Sequence, residues 1–168
     1  MTDIEVRLYE ESDLERVLEL ADEFHRELYA RFGKEARLEE NRGFYQNAYL
    51  NPQGHYTVLV ASTSDGIEGY IVGSSPMDMP ELNMHGPRDP ESVSWTEMDI
   101  LFTTASSRGR GVGKALVTAM CDYVREHYGH EEISGYVANW NEPSLRVLRS
   151  LGFDEEAEDS RVLFSKEL

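Results

Sequence analysis

At 168 residues the chain has room for one full hydrophobic core, so a single domain spanning residues 1–168 is expected. Its 32 acidic against 16 basic residues give a net charge of −16, which repels nucleic-acid backbones and anionic membranes; neither is expected as a partner. One cysteine, Cys121, excludes an internal disulfide, and a charged N-terminus with no long apolar run argues against a leader or membrane span, so a cytoplasmic setting is expected.

Ile4 to Tyr9 alternates apolar and polar residues, the period of a half-buried strand. Ser12-Asp13-Leu14-Glu15 has the form of a capping box, and Leu14, Val17, Leu18, Ala21, Phe24 and Leu28 recur at helical spacing, predicting a helix to about Phe32-Gly33. A weaker helical segment follows from about Ala36 to Leu50, stopped before Pro52. Most of the aromatic side chains on these two segments (Phe24, Tyr29, Phe32, Phe44, Tyr45 and Tyr49) are expected in the core.

Tyr56 to Ala61 and Ile67 to Gly73 read as strands joined across Asp65-Gly66. Ser74 to Ser92 carries four prolines without periodicity and reads as a long loop. Ser94 to Thr103 is the next strand, and strict alternation places Glu97, Asp99, Leu101 and Thr103 on one face. A helix from Val112 to about Tyr128 turns Leu116, Ala119, Met120, Tyr123 and Val124 inward, with Gly129 past its end. Ile133 to Ala138 is a strand, and Asn141 caps a short helix with Pro143 in its first turn and Gly152 as its stop. Phe153 and Val162 to Phe164 supply a closing hairpin.

The chemistry concentrates between the fourth strand and the helix after it, in Ser107-Arg108-Gly109-Arg110-Gly111-Val112-Gly113-Lys114. Glycines at alternate positions let the backbone curl and expose consecutive N–H groups at a helix start, an anion site suited to phosphate. Arg108, Arg110 and Lys114 add positive charge within an acidic protein. A Walker A loop is excluded, since its first glycine and its final Ser or Thr fall on Arg108 and Ala115. The dinucleotide pattern G-x-G-x-x-G fails as well, ending on Lys114 or Leu116.

The pattern that fits is R-x-x-G-x-G, Arg108 to Gly113, followed after one helix and one strand by Asn141-Glu142-Pro143-Ser144 and a short helix ending Leu151-Gly152-Phe153. In both motifs and in the order of elements the chain resembles the GNAT superfamily of acetyl-CoA-dependent N-acyltransferases. The resemblance implies an α+β fold: a mixed, largely antiparallel central sheet with helices on both faces and a splayed V between the fourth and fifth strands. It implies acetyl-CoA as co-substrate, its pyrophosphate on the main chain of Arg108, Gly109, Arg110, Gly111, Val112, Gly113 and Lys114. The pantetheine arm would pair with Leu101, Phe102 and Thr103 and pass Asn141 and Ser144; Asn141 is equally a plain helix cap.

An amine resembling Lys, with a pKa of ~10.4, is protonated at neutral pH, so acetyl transfer needs a base. Glu97 stands where the family's histone-acetyltransferase-type members carry a glutamate base, and Asp99 where others carry a polar or acidic side chain. The family's usual tyrosine acid, seven residues after the Asn, is Leu148 here, which leaves solvent or another hydroxyl, such as that of Tyr136, to protonate the thiolate. The same substitution keeps open a non-catalytic acyl-CoA-binding module that regulates a partner. For an enzyme, the acidic strand face favours a cationic acceptor, a small amine or a protein amine. One or two of the N-terminal aromatics border that acceptor in the family, and a homodimer is common among its members. The five histidines show no ligand spacing, so no metal is expected, and Cys121 reads as packing rather than a nucleophile.

Overall fold

The computed structural model describes residues 3–52, 56–74 and 95–168, with the Trp95 side chain excepted. Beyond Ser74, the predicted loop lies outside the described residues. The chain forms seven strands: β1 (Glu5–Leu8), β2 (Tyr56–Thr63), β3 (Gly66–Ser74), β4 (Trp95–Thr103), β5 (Glu132–Ala138), β6 (Asp154–Ala157) and β7 (Arg161–Glu167). They form one sheet in the order β1-β2-β3-β4-β5-β7-β6. Neighbours are antiparallel except β4 and β5, which run parallel.

The β4–β5 ladder stops at Met98 opposite Gly135, although β4 continues to Thr103 and β5 to Ala138. From that pair onward the two strands part, which is the expected V.

Helices α1 (Leu14–Arg31), α2 (Leu38–Phe44), α3 (Val112–Tyr123) and α4 (Glu142–Ser150) cover both faces. On one face Leu116, Val117 and Met120 of α3 and Leu145 and Leu148 of α4 bury against Leu59, Ile71 and Ile133. On the other, Val17, Leu18, Leu20 and Ala21 of α1 and Tyr45 bury against Val58, Tyr70 and Phe102. No helix among the described residues is long and apolar enough to cross a membrane.

Three local expectations change. The capping box closes the 3-10 turn Glu11–Asp13 that precedes α1, with Glu10 as its N-cap, two residues before Ser12: Asp13 accepts from the Glu10 N–H at 2.9 Å and from Arg7 at 2.7 and 2.9 Å. The second helical segment begins at Leu38, and its last turn, Tyr45–Tyr49, widens to a π turn. Of the N-terminal aromatics, Tyr45 is buried, but Phe32 and Phe44 are 59% and 54% exposed.

Two bulges interrupt the regular alternation. On β3, Glu68 is the extra residue between the pairs Ala61–Gly69 and Ser62–Ile67. On β4, Asp99 is the extra residue between Val72–Ile100 and Gly73–Met98. A bulge puts two consecutive residues on one side. Met98 and Leu101 therefore pack on the α3 face, whereas Ile100 and Phe102 pack on the α1 face. The expectation of a shared face for Glu97, Asp99, Leu101 and Thr103 is overturned: the two acids look toward α1, and Leu101 and Thr103 toward α3.

Candidate active site

β4 leaves the sheet at Thr103, and the chain turns through a short 3-10 segment, Ala105–Ser107, tied by Ser107 N–H to Thr104 O (3.1 Å) and Arg110 N–H to Ser107 O (3.1 Å). Gly109 and Gly111 then adopt φ of +79° and +92°. That left-handed region costs a residue with Cβ roughly 1–2 kcal/mol, which is why glycine stands at both places. The first bond within α3 runs from Ala115 N–H to Gly111 O at 2.9 Å. The N–H groups of Val112, Gly113 and Lys114 therefore project from the positive end of the helix, as an anion site requires. Val112's side chain is buried in the core, so only its main chain faces an anion; Lys114 is exposed.

Beside the loop a cavity of about 250 Å³ runs along the parted end of β4. Leu101, Phe102 and Thr103 form its floor, Asn141, Ser144 and Val147 one wall, and Glu27 and Arg31 of α1 the other, with Gly113 and Arg108 at the loop end. Seven of the predicted donor residues thus meet around one groove. Gly109, Arg110, Gly111, Val112 and Lys114 do not line it. Asn141 also caps α4, its side-chain oxygen accepting from the Ser144 N–H at 3.5 Å.

The wall supplied by α1 was not visible in the sequence. Arg108 donates to both Glu27 oxygens, at 2.9 and 2.7 Å. Arg31 stacks over Trp140, 4.2 Å from the ring centroid, and Phe32 meets the same ring edge-on, bridging α1 to the turn before α4. These pairs join residues 81 and 109 positions apart, so no local pattern announces them.

At the apex of the V, Asp99 is an exposed residue by surface area, yet protein packs closely around its carboxylate. That burial pushes its pKa up to about 7, against a Ser74 hydrogen bond that pulls it down, and the nearby Glu97 charge raises it further. The phenols of Tyr49 and Tyr56, edge-to-face at 4.8 Å, are also pushed up, first by burial and then by the Asp99 charge. Across the V, Ile133 of β5 is buried on the α3 face, so alternation turns Ser134 and Tyr136 toward the α1 face, the side of the two acids. Arg161 stacks on the Tyr136 ring at 3.7 Å. Leu148 is 3% exposed and packs in the α3-side core.

Other reactive residues lie elsewhere. Burial pushes the Cys121 thiol up to about 11, leaving it protonated at neutral pH. His130 is buried on the Thr96 hydroxyl at 2.8 Å. No group of three or more His, Cys, Asp or Glu arranged to hold a metal occurs among the described residues. A second cavity, about 490 Å³, opens at the β2 edge between Tyr9, Tyr56 and Tyr128; among the described residues no basic side chain lines it.

Comparison with known proteins agrees with this geometry. Residues 3–154 match the family model described as an acetyltransferase (GNAT) domain. Human alpha/beta-tubulin-N-acetyltransferase 9 is 31% identical over 72 residues, 43% of this chain and 35% of that protein, so the matched stretch spans about a third of the relative. The fold superposes on PaiA N-acetyltransferase from Thermoplasma acidophilum in complex with coenzyme A (TM-score 0.70, 19% identity, 99% of both chains). It also superposes on aminoglycoside acetyltransferase AAC(6')-Ib with coenzyme A (TM-score 0.72, 19% identity, 98% of this chain and 95% of that one). With its family model covering nearly the whole chain, this protein belongs to the GNAT acetyltransferase family.

Proposed function

We propose that residues 1–168 act as one GNAT domain that transfers the acetyl group of acetyl-CoA to a primary amine. The observation that carries this reading is the position of Asp99, the bulged residue one place beyond the last β4–β5 pair, on the strand whose later residues Leu101 to Thr103 line the groove. The pyrophosphate takes the N–H groups that open α3, with Arg108 alongside. The pantetheine follows Leu101 to Thr103, and the thioester arrives beside Asp99.

The acceptor enters as an ammonium, held by the negative charges of Glu97 and Asp99. With a pKa of about 7, Asp99 is far better matched to take an amine proton than an ordinary carboxylate. The freed nitrogen attacks the thioester carbonyl; the C–N bond forms and a β4 main-chain N–H between Leu101 and Thr103 meets the oxyanion. As the C–S bond breaks, the Tyr136 hydroxyl protonates the thiolate, and the second proton that the nitrogen sheds on becoming an amide returns to the Tyr136 oxygen through solvent. A thiol with an ordinary pKa of ~8.5 leaves readily, so Leu148 at the family's tyrosine position is tolerable. The acceptor is a small cationic amine or a protein amine. Relatives with both kinds of name stand among the matches, and neither class is favoured by their likeness alone. A screen of amines with acetyl-CoA, followed by free-thiol release, tests the reading: turnover with at least one amine is expected, and thiol release that no amine stimulates would overturn it.

A further inference from the structure

Glu68 is 4% exposed, an uncommon place for a carboxylate, and it is the extra residue of the β3 bulge. Buried carboxylates persist where hydrogen bonds and an opposite charge compensate them. Here the partners converge on one object. The Glu68 side chain accepts from Thr63 Oγ1 at 2.8 Å and from Ser106 Oγ at 3.4 Å, and meets the Arg110 guanidinium at 3.5 Å. Its main-chain oxygen accepts from the Thr104 N–H at 2.9 Å and from Ser107 Oγ at 3.5 Å. Four of these five partners belong to residues 104–110, the segment that delivers the chain to Gly111. Arg110 has a further anchor in Asp65, also at 3.5 Å, and does not line the groove.

We infer that Glu68 is a positioning residue for the donor loop, and that Arg110 is its strut rather than a phosphate ligand. The bulge is what brings both the carbonyl and the carboxylate of one residue against the same loop. The two arginines of the R-x-x-G-x-G motif then divide their work: Arg110 sets the loop's shape from beneath, and Arg108 faces the groove. This inference rests on the reading of the loop as the CoA pyrophosphate site.

The test is CoA binding by titration calorimetry, with thermal unfolding recorded on the same samples. Glu68→Gln keeps the shape but removes the charge that Arg110 requires, and is expected to weaken CoA binding about tenfold. Arg110→Gln should weaken it by a similar factor, and the double variant should be no worse than either single one, because the two changes break one interaction. If Arg110 were itself a phosphate ligand, Glu68→Gln would release it and CoA would bind more tightly; that sign overturns the inference. So does a lowered melting temperature with unchanged CoA affinity, the mark of a purely structural residue. Should Glu68→Gln fail to fold, Arg110→Gln decides alone, and wild-type affinity in that variant is equally fatal. Wild-type protein that does not bind CoA would count against the donor assignment instead.

Discussion

In the proposed reading the two ends of β4 do different jobs, and they are built by different means. At its C-terminal end the strand runs into a loop made almost wholly of main chain: two glycines at positive φ, the opening N–H groups of α3, and a buried carboxylate beneath. Toward its N-terminal end the working groups are side chains, Glu97 and Asp99, whose direction depends on one bulge and whose surroundings come from the Tyr45–Tyr49 turn, Tyr56 of β2, Ser74 of β3 and β5. A polyanion of fixed shape suits a main-chain cradle. Moving one proton requires a carboxylate whose environment tunes it.

The contrast is broken most severely at Asp99. Asp99→Asn should lower the rate of amine acetylation by roughly 10²–10⁴-fold, the usual range for loss of a general base, while CoA affinity stays as in the wild type. Steady-state rates beside calorimetry check both halves. Loss of CoA binding in this variant would mean that the two ends are not separable. The pH profile sharpens the point. As the proposed base Asp99 acts in its ionised form, so the wild-type rate should climb as pH rises through about 7, and Glu97→Gln should move that limb to lower pH by removing the neighbouring charge. Stability runs the other way. The folded pKa of about 7 lies above the ordinary 3.8, so the folded state favours the neutral carboxyl; its contribution is full below about pH 4 and is lost as pH rises through 7. Asp99→Asn should therefore gain on the wild type in chemical unfolding as pH goes from 4 to 8.

At the other end of β4, Gly111→Ala adds a Cβ at φ +92° with nothing but Ile4 within 4 Å, so backbone strain and not crowding is the lesion. A cost of about 1–2 kcal/mol predicts CoA binding weaker by roughly tenfold, read by calorimetry, if the loop relaxes away from its anion-binding shape. Tyr136→Phe removes a hydroxyl whose task solvent can partly assume. About a tenfold loss in turnover at saturating acetyl-CoA is expected from general-acid catalysis at its weaker end, with donor affinity untouched.

How much of this was legible in the sequence follows the same division. The loop could be read because a glycine at positive φ, a strand before it and an amphipathic helix after it are all local signals. The V was implied by resemblance and appears in the register, where pairing ends at Met98 and Gly135. The face of the acids could not be read. Strict alternation assumes a period of two, and one extra residue at Asp99 reverses every assignment beyond it. Nor was there any signal for Glu27 or Glu68, whose partners are 81 and 42 positions away. Both look like ordinary members of an acidic surface until the fold sets an arginine beside them.

Glu27 supplies the smallest expected effect and the one with the least obvious sign. It places a carboxylate on the wall of a groove read as a polyanion site, and it engages Arg108 through two hydrogen bonds. An incoming phosphate must share that guanidinium or take it over, and in either case it approaches a negative charge. Because both side chains are partly exposed, water and salt weaken the pair, and its worth is that of a surface ion pair, at most about 1 kcal/mol. Glu27→Gln should therefore tighten CoA binding about threefold at low salt, with a smaller gain at high ionic strength as the repulsion is screened. Calorimetry at two salt concentrations measures both. Weaker binding in Glu27→Gln would give Glu27 the opposite role, that of presenting Arg108 to the donor, and would make the two ends of β4 alike in depending on oriented side chains.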